Sequence, residues 1–137
     1  MNTTSFSELG LSDALLNAVK AQGFVTATPV QAAAIPAALD GKDVLASAQT
    51  GSGKTAAFVL PILDHLQREA REGKRTGRSA PSALILAPTR ELAAQIQEVI
   101  ESLTGRSGVR STAIFGGVSK GKQLQALRSS VDIVVAT

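Results

Sequence analysis

The chain has 137 residues, 44% apolar and 18% charged, with a formal net charge of +3; this is a globular composition, sufficient for one hydrophobic core. The absence of cysteine excludes disulfides and thiolate metal sites, and the single histidine, His65, excludes zinc sites built on paired histidines. The N-terminus, MNTTSFSEL, lacks the basic-then-apolar pattern of a secretory signal, and no apolar run approaches the roughly 20 residues of a membrane span, so the expectation is a cytoplasmic protein with no membrane partner.

In chain order, Ser12 reads as the N-cap of a helix through Leu15, Leu16 and Val19 that stops at Gly23. Thr28 reads as a second N-cap, with Pro29 at the first helical position. That helix is predicted to reach about Leu39, kinked at Pro36 and ended by Gly41. Val44 to Ala46 is predicted as a short buried strand, followed by a glycine-rich loop and a helix from Lys54 to Arg71 kinked at Pro61. The first half of that helix, AAFVLPIL, is apolar all round and should be buried.

Glu72 to Pro81 reads as an exposed basic loop. Ala83 to Ala87 is a second strand, and Arg90 to Leu103 an amphipathic helix with Leu92, Ile96, Val99, Ile100 and Leu103 on one stripe. Ser111 to Phe115 is a third strand, Gln123 to Leu127 a short helix, and Ile133 to Ala136 a fourth strand. The alternation of apolar strands with helices predicts an α/β fold: a parallel sheet covered by helices on both faces, with no internal repeat.

The stretch Ala48-Gln49-Thr50-Gly51-Ser52-Gly53-Lys54-Thr55 fits the phosphate-binding pattern G-x-x-x-x-G-K-[ST], with Ala48 in place of the first glycine. Glycines let backbone N–H groups curl around phosphate oxygens, and the helix that follows adds its positive dipole end. Lys54 would place a charge by the β- and γ-phosphates, and the Thr55 hydroxyl would ligate Mg²⁺. The plain alternative is a flexible strand-to-helix turn.

A phosphate loop does not choose a base. Two roles are open to Gln31 in the stretch Gly23-Phe24-Val25-Thr26-Ala27-Thr28-Pro29-Val30-Gln31. With Thr28 it forms a capping box, its side chain reaching back to the N-cap N–H. Its carboxamide could instead read adenine, accepting from N6 and donating to N7.

GFVTATPVQ resembles the Q motif of DEAD-box RNA helicases. AQTGSGKT is similar to their motif I, Pro88-Thr89-Arg90-Glu91-Leu92 to motif Ia, Gly116-Gly117 to the GG element, and Ala136-Thr137 to the start of T-P-G-R. Phe6 stands 17 residues before Gly23, where that family has an isolated aromatic. Order and spacing match over nearly the whole chain. The resemblance implies a RecA-like P-loop fold, with residues 1–137 as the N-terminal part of the first helicase domain, incomplete at the C-terminus. It implies ATP and Mg²⁺ as cofactors, Gln31 reading adenine and Phe6 stacking on it. Phe24 is expected to pack locally in the core. Ala27 departs from the family's usual proline, which should loosen the loop slightly.

The resemblance also implies contact with the sugar-phosphate backbone of RNA through Pro88, Thr89, Arg90, Gly116, Gly117 and Thr137. A plain N-cap at Thr89 and a plain turn at the glycines remain open. With no Trp or Tyr and four Phe, there is little surface for stacking bases. The basic loop with Lys74, Arg75 and Arg78 could add RNA affinity or simply be solvated.

The D-E-A-D and S-A-T elements and the second RecA-like domain, the implied partner with its arginine finger, are not in these 137 residues. Asp132 and Asp64 are poorly placed to replace the missing acids, one opening a strand and the other inside a helix. The residues taken alone are therefore expected not to hydrolyse ATP. By the family's strand order, Val44 to Ala46 should not pair with the strands at Ala83, Ser111 or Ile133, which leaves a gap in the sheet and low stability. The reading is an ATP-dependent RNA helicase, with Lys54 and Thr55 as its catalytic residues here. Another phosphate-loop ATPase or kinase, and a non-catalytic module binding RNA or protein, are the alternatives.

Overall fold

The computed structural model describes residues 3–74, 80–105 and 107–137. They form two compact units, Met1–His65 and Leu66–Thr137.

The first unit opens with a 3-10 turn, Phe6–Glu8, which sequence periodicity is too short to reveal. Ser5 caps it, its Oγ accepting from Ser7 N at 3.3 Å. The segment is tied antiparallel to the stretch before α2: Ala27 N donates to Thr4 O at 2.8 Å and Phe6 N to Val25 O at 3.4 Å. Helix α1 spans Asp13–Ala21, with Ser12 Oγ accepting from Leu15 N as expected. Helix α2 spans Pro29–Leu39, and helix α3, Lys54–Arg71, begins in this unit. Leu15, Val19, Ile35, Val59, Leu60 and Leu63 form the core.

Helices α2 and α3 each run through an internal proline, Pro36 and Pro61, without a break, and one expectation, the first strand, fails. Each proline removes one i→i−4 bond, but buried neighbours (Ile35; Leu60 and Leu63) hold the helix through tertiary packing. Val44–Ala46 is not a strand, and Leu45 is fully exposed at 103%. A strand exists by its ladder, and three apolar residues with no partner strand do not hold one.

In the second unit, strands β1 (Ala83–Leu86), β2 (Ser111–Ile114) and β3 (Ile133–Ala136) form a parallel sheet in the order β1-β3-β2. Ile133, Val134 and Val135 of the central strand are buried. Helix α4, Arg90–Thr104, buries Ala93, Ile96, Ile100 and Leu103 and packs on β2 and β3. Helix α5, Lys120–Arg128, starts three residues before the predicted Gln123. Its bare polar first turn carries no apolar periodicity, which hides it from pattern reading. The alternation of parallel strands and helices makes the architecture α/β.

Asp64, 2% exposed, accepts from Ser12 N at 2.9 Å and so ties α3 to the start of α1. Asp64→Ala should destabilise the native protein by about 1–3 kcal/mol by stranding that N–H. Asp64→Asn, which keeps an acceptor oxygen, should lose less. Urea unfolding midpoints check this; equal midpoints for Asp64→Ala and wild type would remove the tie from the account.

Candidate nucleotide and RNA contact sites

The phosphate loop is built from the start of α3 backwards. Gly53 O accepts the first helical bond, from Ala57 N at 3.2 Å. The same oxygen accepts from Gln31 Nε2 at 3.1 Å, while Gln31 Oε1 accepts from Thr28 N at 3.0 Å. Gln31 is 4% exposed. Its carboxamide thus joins the cap of α2 to the phosphate loop, which the two sequence readings did not foresee. Gly53 sits at φ +83°, and a Cβ there would lie 2.3 Å from Gln31 Nε2. Glycine accommodates both that close approach and the positive φ.

The rest of the loop is a tight, open turn. Gly51, at φ +80°, has open space where a Cβ would be. Ser52 N and Oγ both donate to Gln49 O, closing the turn over Thr50. Ala48 and Thr55 are half-buried, and Gln49 and Thr50 are exposed. Lys54 is exposed and forms no ion pair among the described residues. The first N–H groups of α3 lack intrahelical acceptors by geometry. Thr28 Oγ1 is a buried oxygen without a hydrogen-bond partner, and a Cβ on Gly53 would stand 3.2 Å from it. Among the described residues no group of three or more His, Cys, Asp or Glu side chains could hold a metal.

Phe24, expected in the core, is 53% exposed, because its neighbours Gln22 to Thr26 all run along the surface. Phe6 is 4% exposed, held in its 3-10 turn.

In the second unit, the parallel ladder brings three of the predicted elements to one edge. Pro88–Arg90 follows β1, Gly116–Gly117 follows β2, and Thr137 follows β3. Thr137 N donates to Ile114 O at 3.1 Å. The carboxyl ends of parallel strands are where open α/β sheets bind ligands. Thr89 caps α4, its Oγ1 accepting from Leu92 N at 3.2 Å, so the plain cap is realised. Arg90 Nη1 donates to Gly116 O at 3.3 Å. Gly117 lies at φ +79°, and a Cβ there would meet Arg90 Nη1 at 3.1 Å.

A residue without an assigned role in the sequence reading also reaches this turn. Gln123 Nε2 donates to Phe115 O at 3.0 Å and Val118 O at 3.4 Å. A glutamine in the first turns of a helix that follows a Gly-Gly turn is the only signal the sequence held.

Asp132 lies at the opposite edge, its Oδ2 accepting from Arg110 N at 2.9 Å, far from any role among the carboxyl ends. In the basic loop, Lys74 pairs with Glu72; that hydrogen bond raises its pKa above the ordinary lysine value. Arg75 and Arg78 lie outside the described residues.

Comparison with known proteins supplies the family. The chain is 49% identical over 132 residues to "DEAD-box ATP-dependent RNA helicase 30" of Arabidopsis thaliana, covering 96% of this chain and 22% of that protein. It is 53% identical over 133 residues to "Probable ATP-dependent RNA helicase ddx27" of Dictyostelium discoideum, covering 97% and 16%. It is 47% identical over its whole length to "ATP-dependent RNA helicase SrmB" of Escherichia coli K12, covering 30% of that protein. The crystal structure of a DEAD box protein from Methanococcus jannaschii superposes with a TM-score of 0.84 at 37% identity, over 100% of this chain and 35% of that one. The fold is therefore RecA-like, and the chain spans less than a third of the length of these curated relatives. A family model, DEAD/DEAH box helicase, matches residues 28–137, and the chain belongs to that family.

Proposed function

We propose that these residues are the nucleotide-binding part, and part of the RNA-binding surface, of an ATP-dependent RNA helicase. They form the N-terminal part of its first RecA-like domain and work against a second one, in the cytoplasm. The observation that carries the reading is the remaining capacity of Gln31. A carboxamide offers two donor hydrogens and two acceptor lone pairs. Thr28 N and Gly53 O take one of each, which leaves one acceptor and one donor, the pair that adenine's N6 and N7 require.

ATP would supply the free energy of phosphoanhydride hydrolysis. Lys54 would carry the charge at its β- and γ-phosphates, Gly51, Ser52 and Gly53 the backbone donors, and Thr55 the protein oxygen for Mg²⁺. Phe6 would stack on the base, which requires its ring to leave the buried position it holds here. Pro88, Thr89, Arg90, Gly116, Gly117 and Thr137 would hold the RNA backbone, with Arg90 as the permanent charge. The 137 residues by themselves contain no D-E-A-D acids, and we propose that they bind nucleotide without turning it over.

Gln31→Ala in the native protein should weaken ATP binding and flatten the preference for ATP over GTP, read by competition binding. An unchanged ATP:GTP ratio would reduce Gln31 to a cap. Lys54→Ala should lower ATP turnover by about 10²-fold or more, since the charge acts where the leaving phosphoryl develops its own. Steady-state turnover near wild type, in a variant with an intact melting curve, would sink the phosphate-loop assignment.

A further inference from the structure

The turn at Phe115–Val118 has an unusual distribution of its carbonyl groups. Gln123 Nε2 holds Phe115 O and Val118 O, one on each side of Gly116-Gly117, and Arg90 Nη1 holds Gly116 O. Three of the four carbonyl oxygens of this turn are thus occupied by side-chain donors. A carbonyl oxygen repels a phosphate, whereas a backbone N–H attracts one. Gly117, at φ +79°, adds the backbone freedom that such a turn needs.

We propose that Gln123 is a positioning residue for RNA: its two amide hydrogens straddle the Gly116–Gly117 turn, turn the flanking carbonyls inward, and leave the turn's N–H groups for a backbone phosphate. The role deepens the RNA contact proposed above and rests on it. Gln123 is half-buried on α5 and acts through the turn, not on the RNA. Arg90 and Gln123 together pre-form the turn, so that little ordering remains to be done when RNA arrives.

The test uses the native protein with Gln123→Met, which keeps the side chain's length and neutrality and removes both donors. Two readouts are needed. Hydrogen exchange over residues 115–118 without RNA should quicken about tenfold. The RNA concentration for half-maximal stimulation of ATP turnover, with a single-stranded oligonucleotide as probe, should rise about five- to tenfold. Turnover at saturating RNA and the KM for ATP should stay at wild-type values, which a merely structural loss would not leave intact. Should Gln123→Met fail to fold, Gln123→Asn, whose donors fall one methylene short, should give the same two shifts. Faster exchange with unchanged RNA half-saturation would overturn the positioning role, and so would unchanged exchange. A wild type that binds no RNA would overturn the proposed function along with it, while a wild type that binds RNA and a variant that binds it equally would overturn this inference alone.

Discussion

Parallel pairing is the constraint on which the second unit depends. An antiparallel sheet alternates its strand ends between two edges; a parallel one delivers every carboxyl end to the same edge. With β3 between β1 and β2, the residues after all three strands must be neighbours, whatever their distance in sequence. That is why Arg90 can reach Gly116, 26 positions away, with a single side-chain bond. The cost of the arrangement is that each return to the starting edge needs a helix, and α4 and α5 supply the two returns. Burial of α4's apolar stripe on β2 and β3 then fixes the crossover in place.

The first unit solves a different problem with one carboxamide. A capping box usually serves only its own helix. Here the glutamine that completes the cap of α2 continues to the N-terminal carbonyl of α3. Two helix starts are thereby indexed to each other through a side chain that is nearly inaccessible. Gly53 is under a double demand, its backbone angle and the room for Gln31, and a side chain there would be strained on both counts.

Much of this was legible in the sequence. N-caps at Ser12, Thr28 and Thr89 were readable because short polar side chains before apolar periodicity have few other uses. The glycine-rich turn before α3 was readable because glycines at that spacing are otherwise unfavourable. What was not legible shares a cause: it depends on partners distant in sequence. Val44–Ala46 has the apolarity of a strand, but a strand needs a neighbour, and the sequence cannot show whether one is present. Phe6 and Phe24 look alike to a hydrophobicity scale; the antiparallel tie at Ser5–Thr26 sends one inside and leaves the other out. Gln123 looked like an ordinary polar helix residue, since its targets are backbone oxygens that no composition records.

Leu45, standing fully exposed beside Val44, bears on how these residues behave in a tube. An exposed apolar segment outside any strand ladder offers another chain a place to pair. Leu84 and Leu86 add a second apolar surface, on β1. Handled alone at high concentration, residues 1–137 would tend to find each other through such surfaces. Such exposed apolar residues, rather than the net charge alone, would then weigh on their solubility.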